Sequence, residues 1–317
     1  MNVRSAIGAI GVVALVFVAS AFGTYPTYLL SLAMINVIAA VGLNLLIGNS
    51  GQISLCHSSF MAVGAYVSAL LTARLGLPFW AAIPVGAAAA AGIGALLGLP
   101  ARRLSGIYLA LATLGFLQIV QIAIEEFADV TGGVRGLTIP KARVVASAAP
   151  MSAFALFCVV LVSCAFSIWV ARNLLRSRLG REFNAVRQSP HAAQALGISV
   201  ARVKLTAFAL SSGYAGFAGG LFAIVVGFVD PNEFGIGAAL RQLTFIVIGG
   251  IGSIVGSILG AVVLSALPEL LRPVKEYNEL VSALLLLAAL LFMPHGLVML
   301  WRRLLPTRLV ATRESAA

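Results

Sequence analysis

The sequence predicts an all-α, polytopic transmembrane helical bundle, and three observations carry that prediction. The chain of 317 residues is 61% hydrophobic and only 10% charged, far from the roughly 25% charged of a soluble domain. Its apolar runs recur from end to end at lengths suited to a membrane crossing. Its Lys and Arg residues, which give a net charge of +11, sit between those runs rather than in one patch, so they read as topology determinants and not as a nucleic-acid surface.

With about 20 residues needed per crossing, the polar breaks define spans at 6–22, 28–47, 53–75, 80–99, 106–127, 150–171, 205–229, 236–250, 254–271 and 279–300. That makes about ten spans in a single domain, 1–317. The first begins after Arg4. Ala19-Ser20-Ala21 near its end resembles a signal-peptide cleavage site, but the length of the run favours a retained span. With Arg4 on the cytoplasmic side, even-numbered spans end inside. Arg102-Arg103, the segment 172–204 and Arg302, Arg303, Arg308 and Arg313 then share the cytoplasmic face, and both termini are cytoplasmic. Glu125, Glu126, Asp129, Asp230, Glu233, Glu269, Glu276 and Glu279 fall outside, as a consistency check. The eighth span, 236–250, is short for a crossing and reads equally as a half-helix buried by neighbours.

Between the sixth and seventh spans, residues 172–204 carry Arg172, Arg176, Arg178, Arg181, Arg187, Arg202 and Lys204 against the single acid Glu182. Within them Ser189-Pro190, then His191 to Leu196, then Gly197 predict one short helix: Ser at the N-cap, Pro in the first turn, Gly just past the end. Such an element is either a docking plug or a solvated linker.

Lipid supplies no hydrophobic drive between helices, so small residues mark where backbones approach. Gly252, Gly256 and Gly260 form a row at four-residue spacing, and Gly216/Gly220 and Gly94/Gly98 repeat it. Polar residues within spans are few. Arg241 either lines a path or snorkels from the outer end of its span. Gln118 and Gln121 share a helix face, as do Asn36 and Asn44, and these amides either line a polar route or bond between helices. Gly48-Asn-Ser-Gly51-Gln52 and Gly249-Gly-Ile-Gly252-Ser253 each interrupt apolar runs, a faint echo that would suit broken helices.

Other chemistry is absent from the sequence. No Gly-Lys dipeptide occurs, so no phosphate-binding loop of the P-loop kind is present. His57, His191 and His295 are scattered, and Cys56, Cys158 and Cys164 lie unpaired in apolar runs. No serine elbow or Cys-His arrangement appears. The expectation is a non-enzyme without cofactor or metal.

Gly48 to Tyr66, Leu104 to Leu114, Thr131 to Leu137, Arg181 to Gly197 with Lys204 to Phe208, and Leu243 to Gly260 are together similar to the LivM-type permease subunits of branched-chain amino acid ABC importers. The match is collinear over about nine tenths of the chain. The resemblance implies the ABC importer permease fold in the bacterial inner membrane. It also implies a homologous second permease subunit, two cytoplasmic ATP-binding subunits and a periplasmic solute-binding protein. It makes Arg187, Pro190, Ala192, Ala193, Leu196 and Gly197 part of an ATPase-coupling segment. Pro190 stands where the family usually has an acid, and Gln194 replaces a common Glu. The Thr131-Gly-Gly133 and Gly136 loop reads as a tight turn with positive backbone angles. Relatives of this pattern serve urea, amides or aromatic acids, so the solute stays open. An ion-coupled secondary transporter is the other reading, and it would need an ionisable group at mid-membrane.

Overall fold

The computed structural model describes residues 23–104, 106–139 and 151–270. The expected spans 6–22 and 279–300 and the arginines from Arg302 onward lie outside the described residues. The helices are α1 (Thr24–Asn44), α2 (His57–Leu75), α3 (Phe79–Ala101), α4 (Gly106–Glu126), α5 (Ala128–Thr131), α6 (Ala153–Arg176), α7 (Arg178–Gln188), α8 (Pro190–Ala195), α9 (Val200–Val226), α10 (Ile236–Gly249) and α11 (Ile254–Leu270). One π-helical turn, Leu45–Asn49, continues α1, and 3-10 turns cover Gly133–Arg135 and Pro231–Phe234.

Among the described residues, six helices are long and apolar enough to cross a membrane: α1 with its π turn, α2, α3, α4, α6 and α9. At 14 residues, α10 rises about 21 Å against a hydrocarbon core of roughly 30 Å. The expected span 236–250 is thus a short helix. Two other expectations shift as well. The basic segment 172–204 is mostly helical, because α6 runs on to Arg176 and α9 begins at Val200. The all-α expectation meets one antiparallel ladder of two residues, β1 (Leu137–Thr138) with β2 (Phe228–Val229), paired Leu137 to Val229 and Thr138 to Phe228.

The core is built on α9, which packs against α3, α2 and α1. In turn α1 packs against α6, α11 and α10. Small residues set these contacts, as packing in lipid requires. A Cβ on Gly64 would strike the backbone of Gly216, and one on Gly219 would strike the carbonyl of Met61. A Cβ on Gly94 would meet Ser212, and one on Gly98 would lie 3.3 Å from Leu205 Cα. Both sequence pairs, Gly94/Gly98 and Gly216/Gly220, therefore lie at helix contacts.

The chain's connections gather at two ends. At the ladder end, Gly132, Gly133 and Gly136 hold φ of 82, 57 and 70°, the positive angles the loop's glycines allow. There Arg74 Nη2 donates to Val130 O at 2.8 Å and Ile139 N donates to Gly227 O at 2.9 Å. The opposite, break end collects the π turn, residues 50–56, α7, α8 and the Gly250–Ser253 turn.

Candidate functional site

At the break end the basic segment folds on itself. Its α7 buries Gly180, Phe183 and Val186, and Phe183 and Val186 join Leu46, Ala101, Leu109, Ala193, Val203, Ala207 and Phe208 in one apolar cluster. The segment is anchored to the ends of α1, α3, α4 and α9. Lys204 Nζ donates to Leu104 O at 3.2 Å. The ion pair of Arg178 with Glu182, at 2.8 Å and with Arg178 88% exposed, adds little in water.

The short helix stands where the sequence puts it. Ser189 Oγ accepts from Ala192 N at 3.2 Å, Pro190 occupies the first helical position, and Gly197 ends the helix with φ 79°. Ile198 N donates to Ala193 O at 3.0 Å and Gly197 N to Gln194 O at 2.9 Å. That left-handed termination satisfies the last carbonyls. The two faces of α8 differ. Ala193 is 1% exposed, packed inside its own chain, whereas Leu196 is 79% exposed, with Ala192 and Pro190 also open to solvent. Among the coupling candidates, Ala193 is thus the one buried within the chain. A small side chain fits there because α8 lies close over Phe183 and Val203.

Arg187 points away from the exposed face of α8. Its Nη1 donates to the carbonyl of Gly48 at the end of the π turn. A Cβ on Gly51 would lie 3.2 Å from Arg187 Cγ, and one on Gly252 would lie 2.9 Å from Arg187 Nη1. Asn44 Oδ1 accepts from Gly252 N at 2.8 Å. The two interrupted segments that echo each other in sequence thus meet, and Arg187 ties them to α7. Gly252 has φ 87°, a conformation that glycine adopts at little cost. It lies in the turn before α11, which corrects the three-member helical row Gly252, Gly256 and Gly260. Gly256 and Gly260 do face α10: a Cβ on Gly249 would strike Gly256 O, and one on Gly260 would strike Phe245 O.

The four path-lining candidates are not brought together. Asn44 is buried at the break, Gln118 is exposed on α4, and Arg241 is exposed on α10. Gln121 is half-buried, with Nε2 3.4 Å from Glu125 Oε1. The residue beside Arg241, Gln242, is the buried one: 5% exposed, its Nε2 on Met61 Sδ at 3.4 Å. In the sequence nothing sets Gln242 apart beside the charge of Arg241. Asn36 bonds Ser265 at 2.9 Å, between helices. Buried His57 has Nε2 2.9 Å from Ala39 O and Nδ1 3.3 Å from Ser211 Oγ, so both ring nitrogens face neutral partners. Among the described residues no group of three or more His, Cys, Asp or Glu could hold a metal.

The family model described as "Branched-chain amino acid transport system / permease component" matches residues 25–293. The chain is 38% identical over 295 residues to the high-affinity branched-chain amino acid transport system permease protein LivM of Escherichia coli, covering 86% of this chain and 69% of that protein. It is 26% identical over 284 residues to LivH of Salmonella typhimurium, covering 82% and 89%. A third similarity, 33% over 135 residues, is to the autoinducer 2 import system permease protein LsrC of Salmonella paratyphi B, covering 40% and 39%. No solved structure matches the chain.

Proposed function

The chain belongs to the branched-chain amino acid transport permease family, and from that premise we propose that it carries branched-chain amino acids inward across the bacterial inner membrane. It works by alternating access, as one of two permease subunits served by two cytoplasmic ATPases and a periplasmic binding protein. The chain is a single permease domain of about ten spans, with the break end and both termini cytoplasmic. In that orientation the basic segment obeys the positive-inside rule. A similarity to both LivM and LivH supports a paired, homologous second permease.

One observation carries the coupling role: α8 is folded, capped and anchored on one face, yet presents Leu196 at 79% exposure on the other. A large apolar residue held out on a rigid helix is an anchor for a partner's groove. Arg187 acts inward. A push on α7 and α8 reaches Gly48 and Gly252 through its guanidinium, so both helix breaks move with the ATPase.

In proteoliposomes holding the whole complex, leucine uptake should need ATP and stop with vanadate. Uptake that survives vanadate and collapses with a protonophore would overturn the importer reading. Leu196→Asp should abolish ATPase co-purification while leaving the permease's melting temperature unchanged. Ala193→Asp, by burying an unpaired charge, should lower that temperature instead. Full uptake by Leu196→Asp would remove Leu196 from the docking face. Arg187→Ala should keep the ATPases bound but cut leucine carried per ATP.

A further inference from the structure

Every polar side chain from Asn49 to Ser59 is buried: seven within eleven residues, none above 4% exposed. So many buried polar groups in one short segment each need a partner. Some of these groups satisfy one another, as Gln52 Nε2 does with Ser50 Oγ at 2.9 Å. Others find no partner. Among the described residues, the buried side-chain nitrogens and oxygens without a hydrogen bond are Asn44 Nδ2, Asn49 Nδ2, Gln52 Oε1, Ser58 Oγ, Ser59 Oγ and Gln242 Oε1. Five belong to the stretch 44–59. The sixth comes from α10, where Gln242 rests on Met61, the residue one turn along α2 from Ser58. Whichever way its amide is turned, one end lacks a protein partner. Buried polar groups are normally paired, so a run of unpaired ones along one discontinuous segment marks where something else supplies the partner.

We propose that this seam, at the junction of the α1 break, the start of α2 and the middle of α10, is where the ammonium and carboxylate of a passing amino acid are received. The inference rests on the proposed importer function and names the part of the chain that touches the solute. The inventory suits a zwitterion. Amide nitrogens donate to a carboxylate, amide oxygens accept from an ammonium, and serine hydroxyls do either. No Asp, Glu, Lys or Arg is among the described buried side chains, and the charge that borders the seam, Arg187, is already held on the Gly48 carbonyl, so the buried groups themselves suit a zwitterion, which brings both charges. Neutral partners also bind weakly enough to let the solute go, which a transport path needs. The seam adjoins Gly48 and Gly252, the two backbones held by Arg187 and Asn44. A movement of the breaks would therefore open or close it.

The test replaces Gln242 in the complete reconstituted importer. A lost hydrogen bond to a charged group corresponds to roughly a 10- to 100-fold effect. Gln242→Leu should accordingly cut leucine uptake per ATP at least about tenfold, with binding-protein-stimulated ATP hydrolysis retained. Gln242→Asn, which keeps an amide, should recover part of the uptake. The melting temperature gives an independent reading. If the amide serves the solute, Gln242→Leu removes an unpaired buried group and the temperature holds or rises. If the amide is structural, holding a bound water between helices, the temperature falls and uptake falls only in proportion. That outcome overturns the inference, as does normal uptake per ATP in Gln242→Leu beside an active parent. A parent complex that carries no leucine overturns the importer function itself, and this inference with it.

Discussion

α1 and α4 are each 21 residues long and similarly apolar, yet they end in opposite surroundings. Of the most apolar 18-residue stretch, 72% is buried within the chain for α1 with its π turn and 22% for α4. α1 is covered all round from Val37 to Leu46. α4 buries only Leu109, Thr113, Leu117 and Ile124, and exposes Ile107, Tyr108, Leu111, Ile119 and Ile122. A surface helix in water would reveal such a difference as an amphipathic stripe. Here it does not, because lipid accepts leucine as readily as a protein interior does. The contrast lies in the small and polar residues. α1 offers Ala39, Ala40, Gly42 and Asn44 to its neighbours, and a Cβ on Gly42 would strike Tyr214 Cβ. On α4, Gly115 has nothing within 4 Å of where its Cβ would be.

Substitutions at the two helices can break or sharpen that contrast. Gly48→Ala, at the end of the buried helix, should have the largest effect. Its Cβ would lie 2.5 Å from Gly252 N, a backbone atom that cannot step aside. A loss of about 1–3 kcal/mol should appear as a clear drop in detergent melting temperature, together with lost uptake. A parent-like melting curve would show that the break is looser than its contacts suggest. Gly260→Leu tests the neighbouring α10 and α11 contact at Phe245 O and should cost a similar or slightly smaller amount. If cross-linking between cysteines placed on these two helices were unaffected, the contact would not depend on a small residue.

Thr113→Val probes the polar tie of α4 to the segment before α2. Thr113 Oγ1 accepts from Leu55 N at 3.0 Å, and removing it leaves a partly buried amide unpaired at a cost of about 1 kcal/mol. Hydrogen exchange at Leu55 should accelerate, and unchanged protection would mean that water replaces the hydroxyl. Gly115→Leu should be nearly silent in the isolated chain, within about 0.5 kcal/mol. The same variant should weaken co-purification of the second permease if α4's open face lies at that subunit boundary. A destabilised isolated chain would contradict the open face and align α4 with α1 after all.

The short helix α8 was legible because its signals are local: Ser189, Pro190 and Gly197 act through backbone angles and a hydrogen bond three residues away. The glycine turns of the 131–136 loop were legible for the same reason. α7 was not foreseen. Its apolar residues, Phe183 and Val186, are too few to stand out among arginines, and they matter only because Leu46, Ala193 and Phe208 are brought over them. The sequence assigns Arg187 to the basic segment but not to its partner. Charge assigns a residue to a membrane face, but its partner, the Gly48 carbonyl, lies 139 positions away.

By itself the sequence determined what the bilayer and the backbone impose. A chain with this much apolar length must hydrogen-bond internally as helices, and its turn glycines follow from local backbone geometry. The tertiary structure decided which apolar helix is enclosed and which is left open. It also decided that Gly252 is a turn residue rather than a member of a helical row, and that Gln242 rather than Arg241 lies inside. The physical reason is that lipid and protein interior are nearly equivalent solvents for alkyl side chains. Burial in such a chain is therefore settled by fit and by polar pairing between distant segments, which only the folded arrangement brings into contact.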